Sequence, residues 1–232
     1  MIRAILFDFN GVIIDDEPLQ LKAYQELMRA EGVPLSEADY YDCLGMDDAT
    51  FIRAAFKRAG REAGDEQLQA LMERKTEKHR ELIEGELPLF PGVVTFVKAA
   101  ARVWQLGVVS MARRVEIDHV LGRAGLKQAF AAVVSAEDVS ACKPDPACNL
   151  RALELLNERR RGAGQPPLSA ADCLVIEDSP PGVQSARAAG MRTLGVTNTV
   201  AGEKLRAAGA DVVTASLADW TPDAVYHVFG KR

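Results

Sequence analysis

Six short, almost uninterrupted apolar runs constrain this chain more than any other feature: residues 2–7, 106–109, 131–134, 173–176, 193–196 and 211–213. A strand that is apolar along its whole length, without the polar alternation of a half-exposed sheet, is buried on both faces. Helix-period segments at 94–101, 115–124, 147–157 and 183–189 lie between the later runs. Strand and helix in alternation predict a parallel sheet with helices packed on both sides, wound by right-handed crossovers. Gly125, Gly190 and Gly209 fall where helices should stop, as the left-handed residue after a helix requires.

The rhythm breaks between residues 15 and 87, where no strand pattern occurs. Leu21, Tyr24, Leu27 and Met28 form one apolar face at helical spacing, ended by Gly32. Phe51, Ala54 and Ala55 begin a second face, and Leu68, Leu71 and Met72 a third. The pattern predicts a helical unit (15–87) inserted after the first strand of a core made of 1–14 and 88–232. Pro88, Pro91 and Gly92 mark the return linker. The stretch 158–171, with Arg159, Arg160 and Arg161 before Pro166 and Pro167, is expected to be an exposed loop.

At 232 residues the chain suits a core domain with one smaller insertion. Its formal net charge of −5 argues against a nucleic-acid-binding face while leaving room for a local basic pocket. No stretch approaches the ~20 apolar residues of a membrane span. Cys43, Cys142, Cys148 and Cys173 form no C-x-x-C pair, so free thiols rather than a zinc site are expected. A cytoplasmic monomer is the expectation, with no leader segment, no nucleic acid and no membrane as partner.

In an open α/β sheet, ligands bind beyond the carboxyl ends of the strands. The first run there leads into Asp8-Phe9-Asn10-Gly11, the second into Ser110, and the fourth into Glu177-Asp178. The third is followed, after a short acidic stretch, by Lys143-Pro144-Asp145-Pro146. Two or three carboxylates suit Mg²⁺, a hard cation that keeps waters and shares substrate phosphate. A carboxylate can attack phosphorus to give an aspartyl-phosphate. A lysine and a hydroxyl can hold the non-bridging oxygens.

These segments, in this order, resemble the haloacid dehalogenase-like hydrolases. The run Phe7-Asp8-Phe9-Asn10-Gly11-Val12 through Asp15-Asp16-Glu17-Pro18 is similar to their first motif, within the beta-phosphoglucomutase-like phosphatase branch. The resemblance implies a Rossmann-like core with an inserted α-helical cap domain. It also implies a Mg²⁺-dependent phosphatase acting on a small phosphorylated metabolite, a sugar or organic phosphate. By position, Asp8 would be nucleophile and metal ligand, and Asn10 a ligand through its carbonyl. Asp178 would be a further ligand, and Glu177 a ligand or the partner of one. Ser110 and Lys143 would hold the transferring phosphate, flanked by Gly11 and Met111, and Arg53 and Lys75 of the cap would meet the rest of the substrate.

One departure bears on catalysis. The family's phosphatases carry Asp where this chain has Asn10, and that Asp protonates the leaving group and then activates water. An amide does neither near neutral pH. Restoring Asp at position 10 is therefore expected to raise turnover by ~10²–10⁴-fold. Three readings of the Asn stand open: an inactivated variant, a natural slow or altered enzyme, or a phosphate-ligand-binding protein on a catalytic fold. Gln20, the segment Cys43-Leu44-Gly45-Met46 and the pair Arg113-Arg114 also depart from the branch's phosphomutases, favouring a phosphatase over a mutase. His79, His119 and His227 match no motif and are expected to be structural.

Overall fold

The computed structural model describes residues 1–230 and contains one six-stranded sheet. Its strands are β1 (Ala4–Phe7), β2 (Gln105–Val109), β3 (Ala132–Val134), β4 (Cys173–Glu177), β5 (Arg192–Val196) and β6 (Val212–Thr214). They run in the order β3-β2-β1-β4-β5-β6, every neighbouring pair parallel. All six coincide with the apolar runs to within two residues at either end.

Burial on both faces explains why those runs are continuous. Ile5 and Phe7 of β1 join Leu106, Val108, Leu174 and Ile176 in one hydrophobic layer. Ala4 and Leu6, pointing the other way, join Val109, Val134, Cys173 and Val175 in a second. The period of two sends alternate side chains to opposite layers, and both layers are covered by helices.

The inserted region carries four helices: α1 (Glu17–Ala30), α2 (Glu37–Tyr41), α3 (Asp48–Arg58) and α4 (Asp65–Ile83). Tyr24, Leu27, Met28, Phe51, Phe56 and Leu71 form its separate hydrophobic core. The short α2 had no sequence signal beyond its capping box, in which Ser36 and Asp39 bond each other's backbone. The two connections to the sheet are stitched together: Asp15 N donates to Pro88 O (2.7 Å) and Phe90 N to Ile13 O (3.3 Å).

The remaining helices are α5 (Val93–Ala100), α6 (Arg114–Arg123), α7 (Ala147–Gly162), α8 (Pro180–Ala188), α9 (Gly202–Ala208) and α10 (Pro222–Phe229). Arg159, Arg160 and Arg161 are not in a loop but form the last turn of α7. Cations there complement the partial negative charge of the helix end, and the loop begins only at Ala163. Gly125, Gly190 and Gly209 all take positive φ, as their place after helices requires. The four cysteines are unpaired. No helix among the described residues is long and apolar enough to cross a membrane.

Candidate active site

Adjacent strands deliver the polar groups to one end of the sheet. Asp8 leaves β1 with its N–H bonded to Ile176 O of β4 (2.9 Å), and its Oδ1 accepts from Phe9 N (2.7 Å). Ser110 follows β2, held by Val134 O of β3 (3.0 Å), with its Oγ accepting from Ala112 N (3.0 Å). Glu177 closes β4 and Asp178 follows it. The connection from β3 to α7 swings Lys143 into the middle of this group.

Lys143 Nζ lies 3.0 Å from Asp8 Oδ2 and 2.5 Å from Glu177 Oε1, and donates to Val109 O at 3.3 Å. Burial alone would lower its pKa, but Asp8 and Glu177 hold it above the ordinary lysine value. Burial, then the charge of Glu177, pushes the Asp8 carboxyl up to about 8 against the pull of Lys143. Asp178 is raised well above its ordinary value by burial, Glu177 and Asp8. Three buried carboxylates thus share one cation, an arrangement short of positive charge.

A metal ion suits that shortage. Asp8, Glu177 and Asp178 can each present an oxygen such that all three lie within 4.8 Å of one another. The donors are hard oxygens, fit for Mg²⁺. Glu177 is the most heavily engaged of the three, since its Oε2 also accepts from Asp178 N (3.2 Å) and Ser179 Oγ (3.1 Å). Gly11 makes the close approach possible: it takes φ +72°, and a Cβ there would collide with the Asp178 carboxylate.

The helical cap closes over this end of the sheet, leaving a cavity of about 90 Å³. Asp8, Asn10, Ser110, Met111, Lys143 and Asp178 line the sheet side. Glu17, Gln20, Tyr24, Tyr40, Asp48 and Lys75 line much of the cap side. Of the two cap cations expected at the substrate, Lys75 reaches the cavity and Arg53 does not. Arg53 points outward from α3 and pairs with exposed Asp65 at 3.2 Å. The spacing could have shown this, because Phe51, Ile52, Ala55 and Phe56 define the buried face of α3 and leave residue 53 off it.

Lys75 is not free either. It is 2% exposed and sits between Asp48 of α3 (3.2 Å) and Glu116 of α6 (3.0 Å). Glu116 also accepts from Thr76 Oγ1 at 2.8 Å, so this cluster ties cap to core. Burial would depress the lysine, but the two carboxylates keep it above its ordinary value.

A further group escaped the sequence reading. Asp16 stands at the start of α1, yet it makes no capping bond with its side chain. Its fully buried carboxylate instead accepts from Asn10 Nδ2 through both oxygens, from Gln20 Nε2 (3.1 Å), and lies 2.7 Å from His79 Nε2. His79, expected to be structural, is so by holding this carboxylate. The i,i+4 spacing of Asp16 and Gln20 was the one visible hint.

A parallel sheet with its nucleophile candidate after β1, a lysine and paired carboxylates at neighbouring strand ends, and a helical lid defines a class of capped α/β hydrolases. Residues 5–196 match the family described as haloacid dehalogenase-like hydrolase, and the chain belongs to that family. It is 30% identical over 201 residues to Protein CbbY of Rhodobacter capsulatus, covering 83% of this chain and 84% of that one. It is also 30% identical over 227 residues to hexitol phosphatase B of Escherichia coli K12, covering 95% of each. A putative beta-phosphoglucomutase from Bacteroides vulgatus superposes with a TM-score of 0.80 at 26% identity, covering 99% of this chain and 89% of that structure.

Proposed function

We propose that this protein is a Mg²⁺-dependent phosphatase of small sugar or organic phosphates, with Asp8 as the nucleophile. The observation that carries this is the placement of Asp8 at the floor of the capped cavity. Lys143 stands 3.0 Å from it, and the Asp178 carboxylate lies within metal-sharing distance. The phosphatase named among the relatives adds to the case.

Asp8 attacks phosphorus through a carboxylate oxygen. The new O–P bond forms as the bond to the sugar oxygen breaks, and that oxygen takes its proton from water, since Asn10 has none to give. Water then attacks the phosphorus of the aspartyl-phosphate, releasing inorganic phosphate and the free carboxylate. Lys143 and the Ser110 hydroxyl hold the non-bridging oxygens, and the cap excludes bulk water. Mg²⁺, held by Asp8, Asp178 and the Asn10 carbonyl with Glu177 beside them, would screen the repulsion between nucleophile and phosphate.

Asn10 cannot supply the proton exchange at the sugar oxygen or the attacking water. Its amide is, moreover, claimed by Asp16. That observation favours slow turnover, with phosphate ligands held longer than they are consumed. The test is a panel of sugar and organic phosphates with and without Mg²⁺, reading phosphate release and acid-stable or rapidly quenched label on the protein. Label on Asp8, lost in Asp8→Ala, is expected. Turnover that persists in Asp8→Ala, or label elsewhere, refutes the assignment. Binding of the phosphates without label or release would make the protein a ligand-binding member of its family.

A further inference from the structure

The cap half of the cavity is built to meet hydrogen-bond donors and to repel a second anion. Tyr24 donates its hydroxyl to Asp48 Oδ1 (2.6 Å), and Tyr40 donates its own to Glu17 Oε2 (2.6 Å). Where Glu17 is ionised, above about pH 7, both phenol hydrogens are spent on carboxylates and the two pairs offer acceptor oxygen. Two more acceptors on cavity-lining side chains lack any donor: Asp48 Oδ2 and Gln20 Oε1. Their residues are 6% and 4% exposed, so each is a buried acceptor that an ordered water or a ligand hydroxyl would satisfy.

Charge points the same way. Among the described residues lining the cavity, the cations are Lys75 and Lys143. Each is held between two carboxylates: Lys143 by Asp8 and Glu177, Lys75 by Asp48 and Glu116. Glu17 adds a further acidic group on the cap side. Arg53, which could have received a second phosphate, faces away. With Lys143 engaged by the transferring phosphate, a second phosphate or a carboxylate entering the cap side would be desolvated against Glu17 and Asp48, with only Lys75, already shared by Asp48 and Glu116, to pair it. A neutral, hydroxyl-rich skeleton meets no such charge penalty and brings donors to a wall lined by carboxylate and phenol oxygens.

We infer that the substrate is a monophosphate of a polyhydroxylated, non-anionic carbon skeleton, and that the Glu17–Asp48–Gln20 wall rejects molecules carrying a second phosphate or a carboxylate. This rests on the phosphatase reading and sharpens it, because a hydroxyl-binding wall chooses by what it leaves unpaired.

Binding and turnover should be measured with four probes in the presence of Mg²⁺: sorbitol phosphate, glucose monophosphate, glucose bisphosphate and phosphogluconate. The two neutral-skeleton monophosphates are expected to bind at least about tenfold tighter than the other two, with the same order in kcat/KM. Asp48→Asn removes one carboxylate charge from the wall and should narrow the ratio between glucose monophosphate and glucose bisphosphate. That ratio is internal to each protein, so partial loss of folded material does not distort it. Tighter binding or faster turnover of the bisphosphate or of phosphogluconate overturns the inference while leaving the phosphatase reading intact. Failure of all four to bind overturns both.

Discussion

Asn10 and Asp16 face each other as a hydrogen-bonded pair, the amide nitrogen of one lying 3.0 and 2.9 Å from the two carboxylate oxygens of the other. A carboxylate only accepts, so the amide must turn its nitrogen to Asp16. Gln20 and His79 hold that carboxylate from its other sides. The Asn10 amide thus has a partner of matching hydrogen-bond type in the Asp16 carboxylate.

This pairing changes what reversion should do. In Asn10→Asp alone, two carboxylates would meet at hydrogen-bonding distance and hold one proton between them. The ~10²–10⁴-fold gain expected of an acid–base residue should then be largely withheld. The double variant Asn10→Asp/Asp16→Asn restores a carboxylate–amide pair with the carboxylate on the cavity side, and should show the gain. Steady-state kcat for the parent, both single variants and the double variant checks this. A full gain in Asn10→Asp alone would mean that Asp16 does not restrain position 10.

Glu116 should matter to stability far beyond its distance from the chemistry. It is 3% exposed and binds Lys75 and Thr76 across the cap–core boundary. Glu116→Ala leaves a buried lysine short of one partner, and breaking such a pair costs ~3–5 kcal/mol. Glu116→Gln keeps the shape and an acceptor, and should cost less. Urea unfolding of both variants would show the difference, and equal midpoints would mean that the charge pairing contributes little.

Glu17 gives the stability a pH dependence of definite sign. Burial, then the neighbouring Asp16, pushes its carboxyl up to about 7 from 4.5. The folded protein therefore binds this proton more tightly than the unfolded chain. The contribution is fully present below pH 4.5 and is lost as the pH rises through about 7. Glu17→Gln, which cannot ionise, should remove this part of the slope. Thermal unfolding of parent and variant across that interval tests it: the gap between them should widen in the variant's favour toward neutrality. A constant gap would show that Glu17 titrates normally.

How much was legible depended on whether the signal was local. Asp8, Ser110 and Asp178 could be singled out as candidates because a buried parallel strand reads as an apolar run and ligands bind where such runs end. Lys143, beyond the third run, stood out only by its place in the order of motifs. The Asp16–His79 contact joins residues sixty-three positions apart. His79 sits in a helix whose buried face also holds Leu68, Leu71 and Ile83, so periodicity alone makes it a core residue. The pairing of Lys75 with Glu116 spans cap and core and leaves no trace in either helix alone. The end of α7 was misplaced because three arginines read equally well as a solvated loop and as a helix terminus.

Gly11 offers the sharpest separation of backbone cost from site damage. It adopts φ +72°, and a Cβ there would strike the Asp178 carboxylate. Gly60 adopts nearly the same backbone, φ +68°, with nothing within 4 Å of where its Cβ would be. Gly60→Ala should therefore report only the left-handed conformation, about 1–2 kcal/mol. Gly11→Ala carries that cost and must also displace a candidate metal ligand. Because a cation that binds the folded state raises its stability by mass action, Mg²⁺ should raise the melting temperature of the parent and of Gly60→Ala alike. For Gly11→Ala the rise should be much smaller. Thermal melts with and without Mg²⁺ on the three proteins decide the matter: an undiminished rise in Gly11→Ala would place the metal away from Asp178.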